Sequence, residues 1–292
     1  MQLATDILRV VFFPGLIFMA CCGGVLFLLE GRVKTVFYGG EAPRLRSLVS
    51  GGVGIEATST GELVAMALSL AAMGVAGTLL VGVRGDLFAL ALLFMAVEVL
   101  PLFLAASGGA EASLRVPLLF QTAFWRMFAF ACVMVSVSLR FPGEFSSGLE
   151  TLRGEGAFNA VQLWNGKDFA FILASLVCAA LALFVFLLGR PACGGNSMAG
   201  NAGVSAVFYS LAAEVSQRAV ALLLFVVLFL GYPWEGGMAL LAWSGAALGT
   251  ALFATAARAL LEGRDRVTLR RLQGAAALLG SLSIALAFVA VA

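Results

Sequence analysis

The chain alternates between long apolar stretches and short punctuation that is polar, basic or rich in glycine. A helix needs about 20 apolar residues to cross the hydrocarbon core of a bilayer. Eight stretches have that character: residues 7–29, 61–83, 87–108, 115–139, 168–189, 204–230, 236–260 and 273–291. No large polar domain and no low-complexity tail interrupts them. The pattern predicts an all-α polytopic membrane protein with about eight transmembrane helices, forming a single integral membrane domain over residues 1–292. The first stretch runs straight into LEGRVK without a small-residue cleavage pattern, so it reads as a retained span.

Composition sharpens this reading. Of 292 residues, 62% are hydrophobic and 12% charged, with a mean hydropathy of +1.04. A soluble domain carries about 25% charged residues, too many for this chain to qualify. The net charge is +2, and the basic residues sit in loops beside spans, so no nucleic-acid partner is implied. Histidine is absent, which removes bis-His haem, His-ligated metals and His proton relays. The five cysteines are Cys21, Cys22, Cys132, Cys178 and Cys193. The first four fall inside apolar spans and none forms a CxxC pair, so they read as small buried hydrophobes. No metal site and no cofactor is expected on this chain.

Loop charges set an orientation. Arg32, Lys34, Arg44 and Arg46 follow span 1, Arg264, Arg266, Arg270 and Arg271 follow span 7, and Arg115 and Arg190 lie in loops 3–4 and 5–6. The opposite face has Arg9, Arg84, Arg140, Arg153 and Lys167. The positive-inside rule places the richer face in the cytoplasm and both termini outside, in the cell's inner membrane. The loop over residues 30–60 is long and basic, a candidate docking surface through Arg32, Lys34, Arg44 and Arg46. The outer loop over residues 140–167 carries Phe158, Val161 and Trp164 near one face, the pattern of a short interfacial helix.

Five polar residues fall where the centre of the bilayer should be: Glu98, Arg126, Glu214, Gln217 and Arg218. A charge there costs about 2.5–3.5 kcal/mol even on insertion scales. Such residues face a partner, a polar interior or an ion path. Glu214 and Arg218 stand four apart and share a helix face with Ser210 and Gln217. Two readings stay open for this stripe: a self-neutralising pair that orients span 6, or a segment of a proton or ion path. Glu98 lies about 16 Å down span 3, at 1.5 Å per residue, and Arg126 lies at a similar depth in span 4. Arg126 is therefore expected to pair with Glu98 or Glu214. No catalytic triad, P-loop or dinucleotide fingerprint occurs.

Several short motifs, in order, resemble the subunit-1 (H-subunit) family of respiratory complex I and its relatives in membrane-bound group 4 [NiFe] hydrogenases. They are Phe13-Pro14-Gly15-Leu16, then Glu30-x-Arg32-Val33-Lys34, Gln121 to Arg126, Asn159 to Gln162 with Trp164, Ala213-Glu214, and Leu228-Phe229-Leu230-Gly231 with Trp234. Three features depart from the family pattern. The first cytoplasmic loop is rewritten, the acidic loop before span 6 shrinks to GRPACGGNSMAGNAGVSAVFYS, and Arg126 replaces a family carboxylate. In the family those carboxylates line the quinone chamber and the start of the proton path, so no functional quinone site is expected.

The resemblance implies a non-catalytic membrane-arm subunit of an energy-converting oxidoreductase complex. Its partners would be peripheral hydrogenase-like or complex I-like subunits, antiporter-like membrane subunits and the lipid bilayer. Two rivals are a secondary transporter, which the lack of an internal repeat disfavours, and a purely structural scaffold.

Overall fold

The computed structural model describes residues 7–8, 10–12, 16–38, 60–81, 87–107, 116–139, 169–187, 219–230, 245, 248–257 and 266–291. All of its described elements are helical. They are α1 (Leu16–Tyr38), α2 (Thr60–Val81), α3 (Leu87–Ser107), α4 (Val116–Ser138), α5 (Phe169–Leu187), α6 (Ala219–Leu230), α7 (Leu248–Ala257) and α8 (Arg266–Val291). Each lies largely within or overlaps one of the apolar stretches read from the sequence. In an apolar medium every backbone N–H and C=O must be paired internally, and a helix does this within one segment.

Local sequence fits this. Pro117 lies in the first turn of α4, where its missing N–H is not needed. After α5, Pro191 lacks the N–H that the carbonyl of Leu187 would require for the helix to continue. The final five residues of α6, Val226–Leu230, widen into a π-helical turn whose first four side chains are buried.

Among the described residues, three helices are long and apolar enough to cross a membrane: Phe120–Ser138, Phe169–Phe186 and Arg271–Ala290. Shorter apolar helices cover Ala67–Leu80, Leu87–Val99, Ala219–Leu230 and Leu248–Ala257. The protein is thus an all-α, multi-span membrane protein.

The core sits where α8 packs along both α5 and α4, while α4 also packs on α5 and α3, α3 on α2, and α2 on α1. Fully buried Met73, Leu80, Leu90, Phe94, Phe130, Leu176, Leu183, Leu224 and Phe229 fill it. Large side chains also point outward, including Phe120, Phe124 and Phe128 on one face of α4 and Leu278, Leu282 and Phe288 on α8. In water such a surface would be a liability; lipid chains solvate it.

Two glycines mark close approaches. A Cβ on Gly280 of α8 would stand 2.9 Å from the Cys132 Cβ of α4. One on Gly74 of α2 would meet the Leu16 Cβ of α1 at 3.2 Å. Small residues let helix backbones come together where no hydrophobic driving force separates protein from lipid. Cys132 is accordingly buried, whereas Cys21 is exposed and Cys22 and Cys178 are half-buried, all as free thiols.

Candidate functional site, a buried ion pair

Glu98 lies near the middle of α3, about 16 Å from its start at 1.5 Å per residue. Arg126 lies about 15 Å from the start of α4. Both are nearly fully buried, at 2% and 5% exposure. They meet in two-point geometry: Arg126 Nε donates to Glu98 Oε2 at 3.2 Å and Nη2 donates to Oε1 at 3.0 Å. The planar fork of arginine matches a carboxylate in this way, and lysine has no equivalent.

A third helix completes the site. Arg126 Nη1 donates to the backbone carbonyl of Phe186 at 3.1 Å. Phe186 is the penultimate residue of α5, so its carbonyl belongs to the terminal turn, where helix carbonyls lose their intrahelical partners and carry the negative end of the helix dipole. The guanidinium also stacks on the Phe186 ring, 4.4 Å from its centroid. One side chain thus neutralises a carboxylate, caps a helix end and fills an aromatic face.

Around the pair the walls are apolar. The Phe186 ring stacks on Phe130 at 5.1 Å and meets Phe94 edge-on at 6.2 Å, and Phe94 and Phe130 are 5.2 Å apart. Phe94 is one turn before Glu98 on α3, and Phe130 one turn after Arg126 on α4. The three rings screen the pair from solvent and raise the strength of its charge–charge attraction.

Of the two acids within expected reach of Arg126, Glu98 makes the observed pair. Glu214, Gln217 and Arg218 lie outside the described residues, as do Arg44 and Arg46 and the segment from Phe158 to Trp164. Arg32 is exposed on α1, and Lys34 belongs to the same helix. Among the described residues no group of three or more His, Cys, Asp or Glu side chains can hold a metal ion.

Sequence reasoning missed two contributors. The Phe186 carbonyl carries no sequence signal, because every residue has one. A cluster of three fully buried serines, Ser136 of α4, Ser175 of α5 and Ser283 of α8, also escaped notice. Lone serines in apolar spans are ambiguous. Ser138 and Ser281 instead bond back to carbonyls of their own helices, those of Val135 and Ala277.

No protein-family model matches the chain, and no curated protein does. Seven chains of solved structures match it. One comes from the structure of the membrane-bound sulfane sulfur reductase, an archaeal respiratory membrane complex. It superposes with a TM-score of 0.57 and 16% sequence identity, over 97% of each chain. The chain shares its fold with a chain of a respiratory membrane complex. At this identity the likeness is one of fold, and it extends from end to end. That is the architecture which the sequence resemblance to energy-converting membrane complexes implied.

Proposed function

We propose that this chain is a membrane-arm subunit of an energy-converting redox complex of the complex I or membrane-bound hydrogenase kind. In this role it anchors a peripheral redox module and links it to ion-translocating, antiporter-like subunits. The observation that carries the reading is the fold likeness over 97% of both chains to a component of a respiratory membrane complex. The order of short motifs along the sequence supports the same class independently.

In this reading the chain is one membrane domain of about eight spans with both termini outside the cytoplasmic membrane. The basic segment with Arg32 and Lys34 on α1 and Arg44 and Arg46 after it in sequence faces the redox module. The chain supplies no electron carrier and no quinone head-group site. Arg126 and Glu98 act as an electrostatic strut. Both carboxylate oxygens of Glu98 are engaged by one guanidinium, which suits a structural tie between helices. A proton-exchanging role, if the chain has one, then falls to Glu214.

Purification of the tagged chain from native membranes in a mild detergent tests the proposal. Recovery of a hydrogenase-like or sulfur-reducing soluble pair together with antiporter-like membrane subunits is the expected result. A chain that comes alone and transports solute in vesicles would make it a secondary transporter.

A further inference from the structure

The three long apolar helices meet at one polar point. Ser136, Ser175 and Ser283 are each completely buried there, one from each helix. Ser175 Oγ donates to the Ser283 carbonyl at 2.7 Å, and Ser283 Oγ lies 2.9 Å from the Ser175 carbonyl. The Ser136 and Ser283 hydroxyls are 2.5 Å apart, and Ser175 Oγ stands 3.3 Å from Ser136 Oγ and 3.4 Å from Ser283 Oγ. One arrangement uses each hydroxyl proton once: Ser283 donates to Ser136 Oγ, Ser136 to Ser175 Oγ, and Ser175 to the Ser283 carbonyl. Every donor is then used in a closed circuit across three helices.

We propose that this serine circuit sets the axial register of α4, α5 and α8, and that Ser175 is a positioning residue for the Arg126–Glu98 site. The proposal stands whether or not the chain serves in a redox complex. Arg126 and Ser136 are ten residues apart on α4, about 15 Å, and Ser175 and Phe186 are eleven apart on α5, about 16–17 Å. The helices run antiparallel, and equal rises bring the Phe186 carbonyl level with the guanidinium only when the serines are level with each other. A one-residue slip of α5 would move that carbonyl by about 1.5 Å and turn it by about 100° about the helix axis.

Apolar packing alone is weak at preventing such a slip in lipid, since one Leu or Phe face resembles another. Buried polar groups are not so tolerant, because a slip strands their donors in hydrocarbon. Close packing holds the helices near enough for the circuit to close. Gly280 lies three residues before Ser283 and abuts Cys132, which is four residues before Ser136.

A double-mutant cycle between Ser175→Ala and Arg126→Ala, read as Tm of the full-length chain purified with its partners, tests the idea. Sites this far apart with no shared contact have additive effects. If Ser175 acts through register, the double variant melts little below Arg126→Ala alone. Strictly additive Tm shifts would overturn the proposal. A second readout serves if Ser175→Ala does not fold. In a background with the five native cysteines replaced by alanine, Ser136→Cys with Ser175→Cys, which joins α4 to α5, should cross-link nearly fully under mild oxidation. The disulfide should raise the Tm of that chain well above its reduced form and toward that of the parent. Absence of the cross-link, or a cross-link without rescue, would count against a register lock.

Discussion

Arg126 and Glu98 form a two-point ion pair between the middles of α3 and α4, with the guanidinium also bonded to the last turn of α5. Taking two charges out of water is expensive, and their attraction repays that cost only with good geometry and satisfied remaining donors. Here the pair is two-point, and a third guanidinium donor reaches the Phe186 carbonyl. Removing one partner leaves the other charge buried and alone, at a typical cost of about 3–5 kcal/mol.

Arg126→Ala and Glu98→Gln should therefore each reduce the yield of folded protein in mild detergent sharply. Combining Arg126→Ala with Glu98→Gln should restore part of it, since no uncompensated charge remains. Arg126→Lys should fall between, losing about 1.5–3 kcal/mol for a charged hydrogen bond that a single ammonium cannot replace. Thermal unfolding followed by fluorescence size exclusion measures all four. Equal stability of the single and double variants would mean that the pair is not a unit.

Two glycines give a matched contrast in packing. Gly280→Ala places a methyl 2.9 Å from the Cys132 Cβ and 3.3 Å from the Ala129 carbonyl oxygen. α8 must move off α4, at about 1–3 kcal/mol. Gly24 of α1 has nothing within 4 Å of the same added atom, so Gly24→Ala should be neutral or gain up to about 1 kcal/mol from helix propensity. The two Tm values in one detergent decide the matter.

The proposed topology places residues 30–60 in the cytoplasm and both termini outside. Single cysteines at Ser47 and at Ala292, probed with an impermeant maleimide on intact cells and on inverted vesicles, should react from opposite sides. Labelling of both from one side would dismiss the eight-span arrangement.

The proposed docking role of the basic loop predicts that charge reversal at Arg44 and Arg46 releases the soluble module from membranes. Washed vesicles should then lose dehydrogenase or reductase activity several-fold while the chain itself stays inserted. Retention of the module would assign its anchorage elsewhere.

The proposed division of labour between Glu98 and Glu214 can be separated kinetically. Glu214→Gln should assemble and turn over electrons but lose ion coupling, measured as a pH or potential gradient in proteoliposomes. Glu98→Gln should fail at assembly instead. Full coupling in an assembled Glu214→Gln complex would remove Glu214 from any proton path.

The sequence alone determined the class of molecule and roughly where most of the described helices form, although α1 begins at Leu16 and runs on to Tyr38, nine residues past the predicted span. The apolar stretches admit no other solution in lipid, since only an unbroken helix satisfies its own backbone there. It also marked Glu98 and Arg126 as partners in waiting, because an ionisable residue in a span is costly wherever its neighbours are, and the rise per residue gave both the same depth. Which acid Arg126 would choose was open, because depth along one helix does not say which face of the next one meets it. That choice, the capping of α5 through the Phe186 carbonyl and the aromatic wall of Phe94, Phe130 and Phe186 arise from how three helices are rotated against each other. The same is true of the serines: Ser136, Ser138, Ser281 and Ser283 look alike in sequence, yet Ser136 and Ser283 bond across helices and the other two bond to their own. Local pattern fixes what a residue costs in a membrane, and only tertiary packing decides which partner meets that cost.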